Sequence, residues 1–451
     1  MTGVSALEIA GEVLVPDAPG YEEARKPAIA RFHGIRPQAI VRCATAADVA
    51  EALAFARRSD VHVALRSGGH CFAGRSSTDG IVIDVGPMSS VSVADGVATV
   101  GAGTRLGDLY DALDAHGVTI PAGCGPTVGI AGLTHGGGLG ILGRKHGLTC
   151  DRLLAAQVVL ADGRVVDCDE HRHADLFWAL RGAGGGQFGV VASLVFSTLP
   201  APPATTFHLV WPYAAAVAVI AAWQDWAPDA PDELDANLRL TAAGDLGGAP
   251  VVHLFGALLG DEPEAVELLE RFVGRVGADP ESATHRQLPY RAAKQSLVGL
   301  GAVEDEDDAG VLVHKSEFFR RPLPADAIAA LVAGLPAGRG PGESRELNFT
   351  PMGGAYNRVA AEATAFAHRE ERFLLEHVLV VTPEATAGAR EWVKRSWATA
   401  HPWGSWRVYP NFPDPELAGW TEAYHGGNYE RLVRVKRAYD PDGVFRFAQS
   451  L

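Results

Sequence analysis

Five consecutive residues near the start of the chain, Arg66-Ser67-Gly68-Gly69-His70, combine groups that can do chemistry together. A neutral imidazole is a competent nucleophile near neutral pH. The two glycines before it let backbone N–H groups approach a bound group closely and supply positive φ angles without steric cost. Two more glycine-rich stretches follow, at 123–140 (GCGPTVGIAGLTHGGGLG) and 181–191 (RGAGGGQFGVV). Successive N–H groups in such turns form nests for phosphate oxygens. Three such segments in one part of the chain point to a long ligand wrapped by several loops. No GxxxxGK[ST] is present, and no GxGxxG opens a helix near the N-terminus with an acid about twenty residues on. A P-loop and a Rossmann dinucleotide site are therefore excluded as motifs. No second His or acid stands at ligand spacing from His70, so no metal is expected.

These segments need elements to position them. Period-two and period-3.6 patterns predict strands at 38–42, 61–65, 81–85, 97–100 and 189–198, and helices at 46–58 and 106–116. An Ala-Asp-Gly turn joins 157–160 to 164–167 as a hairpin. The proline cluster LPAPPA at 199–204 closes this part. Strands at 205–211, 236–241, 251–259, 311–319, 345–349 and 373–381 then alternate with helices at 262–275, 325–335 and 386–400. That is the pattern of an antiparallel sheet with helices on one face. The apolar run 213–223 reads as a buried helix, and the acidic run 304–308 (EDEDD) as a solvated loop. The fold expected is α+β in two domains: 1–203 for the long ligand, 204–402 for substrate, and 403–451 returning to the first.

The chain has 451 residues, 47% of them hydrophobic, and a formal charge of −15. Such a surface repels nucleic-acid phosphates and anionic lipid. No stretch approaches the roughly 18 apolar residues of a membrane span. No basic-then-apolar leader opens the sequence. Five cysteines (Cys43, Cys71, Cys124, Cys150, Cys168) without CxxC spacing fit a reducing compartment, so a cytoplasmic location is expected. The partners expected are a small-molecule substrate and O2.

The order of these motifs, from RPQAIVRCATAADV (36–49) through RSGGH, GLTHGGGLGILGRKHGLTCD (132–151) and ADLFWALRGAGGGQFGVV (174–191) to YPNFPDPEL (409–417) and NYERLVRVKRAYDPDGVFRF (428–447), resembles the FAD-linked oxidases of the vanillyl-alcohol-oxidase superfamily, in the berberine-bridge-enzyme-like branch. The resemblance covers nearly the whole chain. It implies a PCMH-type FAD-binding domain, an antiparallel substrate domain, and FAD bonded covalently through its 8α-methyl to His70. Arg66, Ser67, Gly68 and Gly69 would cradle the pyrophosphate. Gly125, Pro126, Thr127, Val128, Gly129, Gly132, His135, Gly136, Gly137, Gly138, Gly186, Gly189, Val190, Val191 and Asn428 would complete the cofactor site. The reaction implied is hydride transfer from a small-molecule C–H bond to the flavin, with O2 reduced to H2O2. Val128, at the family's oxygen-gating position, favours the oxidase over a dehydrogenase.

Three departures from the family pattern matter. The Cys that gives many members a second flavin bond falls here on Gly125, with Cys124 one residue early, so a single bond through His70 is expected. The second Tyr of the family's Tyr-x-Asn-Tyr is Phe412, which has no acidic proton, leaving Tyr409 as a candidate substrate contact. The segment 352–369 carries no acid beside Tyr356. The candidates for catalytic base are His135, Tyr356 and His146. With one flavin bond, a smaller or flatter metabolite than an oligosaccharide is expected, as in secondary-metabolite tailoring. A carbohydrate oxidase, a dehydrogenase with another acceptor and a non-catalytic flavoprotein are the alternatives.

Overall fold

The computed structural model describes residues 4, 7–245, 247–301, 310–382 and 388–451. The acidic run 304–308 lies outside the described residues.

The first two hundred residues build two small sheets. Strands Glu12–Leu14, Ala39–Arg42, Ile81–Asp84 and Val63–Arg66 lie in that order, the last three parallel. Parallel strands buried on both faces read as continuous apolar runs, and AIVR and IVID do so. Helix Ala46–Ser59 starts at a capping box of Thr45 and Asp48, and Asp48 also accepts from the N–H groups of Ala10 and Gly11. The second sheet is antiparallel, in the order Val91–Ala94, Val97–Gly101, Val190–Ser197, Leu153–Val159, Val165–Asp169. Its last two strands form the hairpin around the Ala-Asp-Gly turn, with Val159 opposite Val165. One apolar cluster spans these elements and takes in Ala365, Leu432, Val435 and Phe445 from later in the chain.

After Ala204 the core changes. Seven antiparallel strands lie in the order Ser282–Leu288, Ala204–Pro212, Val251–Leu258, Leu234–Ala242, Glu343–Pro351, Phe373–Val381, Val311–Phe319. Alternation along these strands sorts the side chains by face. Phe207, Leu209, Trp211, Leu238, Leu240, Leu347, Phe349 and Leu375 join a second cluster with helices Ala216–Trp226, Glu262–Val276, Ala325–Gly334 and Ala389–Ala400. The other face carries Asp235, Asn237, Arg239, Asn348, Glu376 and His314, and it borders a large cavity. Among the described residues no helix is long and apolar enough to cross a membrane.

The sequence patterns miss strand Ser282–Leu288 and helix Tyr290–Gly301. The strand, SATHRQL, is an edge strand with every residue but the last exposed, so no buried face marks it.

Candidate active site

One cavity of about 2040 Å³ runs between the two parts of the molecule. A single drug-sized ligand takes about 300–1,000 Å³, so there is room for a dinucleotide and a substrate. Its walls come from the 66–75 loop, the 123–133 segment, Gly185–Val191 (in part), the polar face of the seven-stranded sheet, and residues 409–413 and 445–449.

The first wall rests on two loops in backbone contact. A Cβ on Gly68 would lie 2.2 Å from the Gly129 nitrogen, and one on Gly129 would lie 2.3 Å from the Gly68 nitrogen. Only glycine permits this approach. Gly69, at φ +78, turns the chain toward His70. The Thr127 hydroxyl and His70 Nε2 are 2.9 Å apart, and Nδ1 has no hydrogen bond among the described residues. Burial, aided by the charge of Arg105, lowers the His70 pKa to about 4 against the weaker upward pull of Thr127, so the imidazole is neutral at pH 7. Ser67 holds the loop by donating to the Ala102 carbonyl at 2.7 Å. Gly125, Pro126, Thr127, Val128, Gly132, Gly186, Gly189, Val190 and Val191 all border the cavity.

The Arg66 guanidinium is spent on the Ser76, Ala24 and Arg25 carbonyls and the Ser77 hydroxyl, which leaves its backbone, the part expected to receive the pyrophosphate, for a ligand. Several other expected contacts are structural instead. Gly136, Gly137 and Gly138 do not line the cavity. A Cβ there would strike Asn411, Phe366 and Thr149 at 2.1, 3.0 and 2.1 Å, so these glycines serve close packing. Asn428 is also away from it: its amide donates to the Ala361, Thr364 and Ala365 carbonyls and fastens that loop.

The proposed bases fare similarly. The Tyr356 hydroxyl donates to the Gly140 carbonyl and accepts from the Gly140 N–H, and burial raises its pKa. It lines the cavity but is not a base. Tyr409 accepts from the Gly138 and Leu139 N–H groups and from the Asn411 amide, and burial outweighs those bonds to raise its pKa to about 12. His135 borders the cavity, and burial lowers its pKa to about 4, too weak a base for neutral pH. Its Nε2 is buried without a partner among the described residues, which leaves it able to bond a group held in the cavity. His146 lies away from the cavity beside Arg152.

A pair absent from the sequence reading stands on the opposite wall. His314 Nε2 is 3.0 Å from Glu376 Oε2. The imidazole packs against Phe72, two residues beyond His70, and against Phe412, with ring centroids 5.1 and 5.0 Å away. Register carries the polar row onward: Glu376 stands opposite Asn348, and Asn348 opposite Arg239. Arg239 Nε donates to Asn348 Oδ1 at 3.1 Å and lies 3.6 Å from Glu346. The signal that could have found these residues is polar alternation along strands whose other face packs into the second apolar cluster.

Cys124 also borders the cavity. Its sulfur lies 3.6 Å from the buried Lys294 ammonium, which donates to the Ala122 and Gly123 carbonyls.

The cavity fits a flavin dinucleotide. Nothing lies within 4 Å of a Cβ placed on Gly132, which borders the cavity, so there is clearance for a planar group, and the orphaned His135 Nε2 can offer it a hydrogen-bonding partner.

Residues 37–169 match the family model of the FAD binding domain, and 408–451 that of berberine and berberine-like proteins. The chain is 32% identical to the uncharacterized FAD-linked oxidoreductase YgaK of Bacillus subtilis, over 98% of this chain and 97% of that one. It superposes on Physcomitrella patens BBE-like 1 with a TM-score of 0.88 at 27% identity, covering 98% and 96%. The glucooligosaccharide oxidase of Acremonium strictum, described with a 6-S-cysteinyl, 8α-N1-histidyl FAD, matches with a TM-score of 0.85 at 27% identity, covering 98% and 96%. The chain belongs to the berberine-bridge-enzyme-like family of FAD-linked oxidoreductases. It is an FAD enzyme with the two-domain α+β fold of that family.

Proposed function

We propose that this protein is an oxidase that removes hydride from a carbon bearing a hydroxyl group on a polyhydroxylated small molecule, using FAD bonded to His70 and O2 as final acceptor. Bound FAD supplies the two-electron acceptor; the chain supplies attachment, orientation and a path for the proton. The observation that carries the reading is the cavity with His70 on one wall and a polar row on the other. His70 is neutral, and Thr127 engages Nε2, so Nδ1 is the nitrogen left to form the bond. His135 and the open Gly132 receive the ring system.

The substrate half follows from the sheet. From Glu376 to Arg239 is two strand intervals, about 10 Å, lined with alternating acceptors and donors. Glu346 offsets the charge of Arg239, so the row suits neutral hydroxyl groups better than an anion. This favours a sugar-like substrate over the flat metabolite expected from single flavin attachment. Val128 on the cavity wall keeps the small side chain that favours O2 access.

The test is acid precipitation of purified protein with mass analysis of the His70 peptide, then H2O2 assays on glucose, cellobiose, N,N′-diacetylchitobiose and benzyl alcohol. Flavin mass on His70 and peroxide from the sugars are expected. Turnover of benzyl alcohol alone would overturn the substrate reading. Rapid reduction by sugar with slow reoxidation in air would make the enzyme a dehydrogenase.

A further inference from the structure

We propose that His314, oriented by Glu376, is the group that takes the substrate proton. This rests on the hydride-transfer reading above but not on its sugar specificity.

The pair has the arrangement that general base catalysis requires. With Nε2–H donating to the Glu376 carboxylate, the lone pair of Nδ1 is left free, and no described residue hydrogen-bonds it. The carboxylate fixes the tautomer and stabilises the imidazolium that forms, the role an acid plays behind a catalytic histidine. Both side chains border the cavity, yet His314 is only 4% exposed and Glu376 15%. Two aromatic contacts hold the ring. Phe72 comes from the loop that carries His70, Phe412 from the C-terminal segment, and the two phenyl rings stack on each other at 5.5 Å. This clamp ties the imidazole to the cofactor anchor. Phe412 thus keeps a part in the site without a hydroxyl: it positions the base instead of being one.

The step balances. The substrate C–H bond breaks and its hydrogen leaves with two electrons for the flavin. The hydroxyl O–H bond breaks and its proton moves to His314 Nδ1, while the oxygen pair closes the carbonyl. Glu376 neutralises the imidazolium until the proton is passed to solvent.

Other titratable groups around the pair do not imitate it. Burial keeps His377, the next residue after Glu376, neutral, with a pKa lowered to about 3. Tyr409 beside Phe412 is held at about 12, and His70 at about 4. Lys315, adjacent on the strand, is paired with Asp414. Cys71 lies towards Tyr424.

The test uses holoenzyme carrying His314→Gln, Glu376→Gln or, as a control, His171→Gln, an exposed histidine away from the cavity. Sulfite, an anion that adds to oxidised flavin, is titrated first across about pH 5.5 to 8.5, a window around the ordinary histidine pKa. It needs no substrate. Sulfite changes its own protonation in this window, so the reading is the difference between variants: His314→Gln should change the slope of affinity against pH from that of the wild type, and His171→Gln should keep it. The same slope in His314→Gln would overturn the proposal. Anaerobic reduction is then timed with cellobiose and with benzyl alcohol. His314→Gln should slow it by about 10²–10⁴-fold, the ordinary worth of a general base, with little change in donor Kd and partial recovery on adding imidazole. An undiminished rate overturns the base while leaving the function above intact. If neither donor reduces the wild type, the sugar reading fails and the sulfite slope still decides the role of His314.

Discussion

Two glycines three residues apart should respond to the same substitution with opposite signs. Gly129 and Gly132 flank the start of helix Ile130–His135, and neither has positive φ, so alanine brings no backbone strain at either. At Gly129 the new methyl group would sit 2.1 Å from Ser67 Oγ and 2.3 Å from the Gly68 nitrogen. The hydroxyl can rotate away, but the backbone of the His70 loop cannot. An overpacking cost of about 1–3 kcal/mol follows. At Gly132 nothing lies within 4 Å, and alanine is a better helix former by about 1 kcal/mol. Protein without flavin should therefore be stabilised by Gly132→Ala and destabilised by Gly129→Ala. The methyl group on residue 132 points into the cavity, however, and a clash of about 1–3 kcal/mol with the ring system would weaken flavin binding by about 5- to 150-fold. Urea denaturation of flavin-free protein, made in a riboflavin-starved host, reads the first effect. Flavin uptake on adding FAD reads the second. Normal uptake by Gly132→Ala would refute the assignment of that space to the cofactor, and an unchanged Gly129→Ala would refute the contact between the two loops.

Thr127→Val removes the partner of His70 Nε2 and should slow covalent attachment while leaving FAD bound, as shown by flavin released on acid precipitation. Asn428→Ala should cost about 1–3 kcal/mol by freeing the buried carbonyls of Thr364 and Ala365 and the part-buried one of Ala361, yet leave the flavin content normal. Trp406 holds a left-handed backbone, φ +63, while 65% exposed, so Trp406→Gly should stabilise the protein by about 1 kcal/mol in urea titration. Burial lowers the pKa values of His135 and His253 to about 4 and of His368, His377 and His425 to about 3. The unfolded chain takes up these protons near pH 6.5 and the folded one only at much lower pH. Stability should be full above about pH 6.5 and fall as pH drops toward 4. Burial raises the pKa values of Asp84, Asp235, Glu317 and Glu371, and these carboxyls act in the opposite sense. A urea midpoint at pH 5 equal to that at pH 7 would contradict the prediction.

Much of the architecture was legible because each part has a local cause. The hairpin at Ala155–Asp169 announces itself by its turn, and the core changes hands after LPAPPA because the apolar alternation of Ala204–Pro212 serves a different sheet. His70 was visible because glycines and a strand end frame it. The glycine triplet 136–138 misled because packing against Asn411, Phe366 and Thr149 demands the same residue type as cradling a phosphate does. His314 and Glu376 were not legible as a pair. They stand 62 positions apart, and only the register of two strands brings them together.

The far wall of the cavity includes Arg446, Phe447 and Gln449, and His62 donates to the Arg446 carbonyl across 384 positions. Arg75 completes the seam, over the Phe447 ring and bonded to Gln449. During synthesis, then, the loop bearing His70 leaves the ribosome long before its chamber has a back. Flavin meeting the nascent chain would find an open trough, and retention must wait for the 446–449 segment to dock. Attachment of the cofactor through His70, as proposed above, would then be a late event in the life of the chain, one that reports on completed folding.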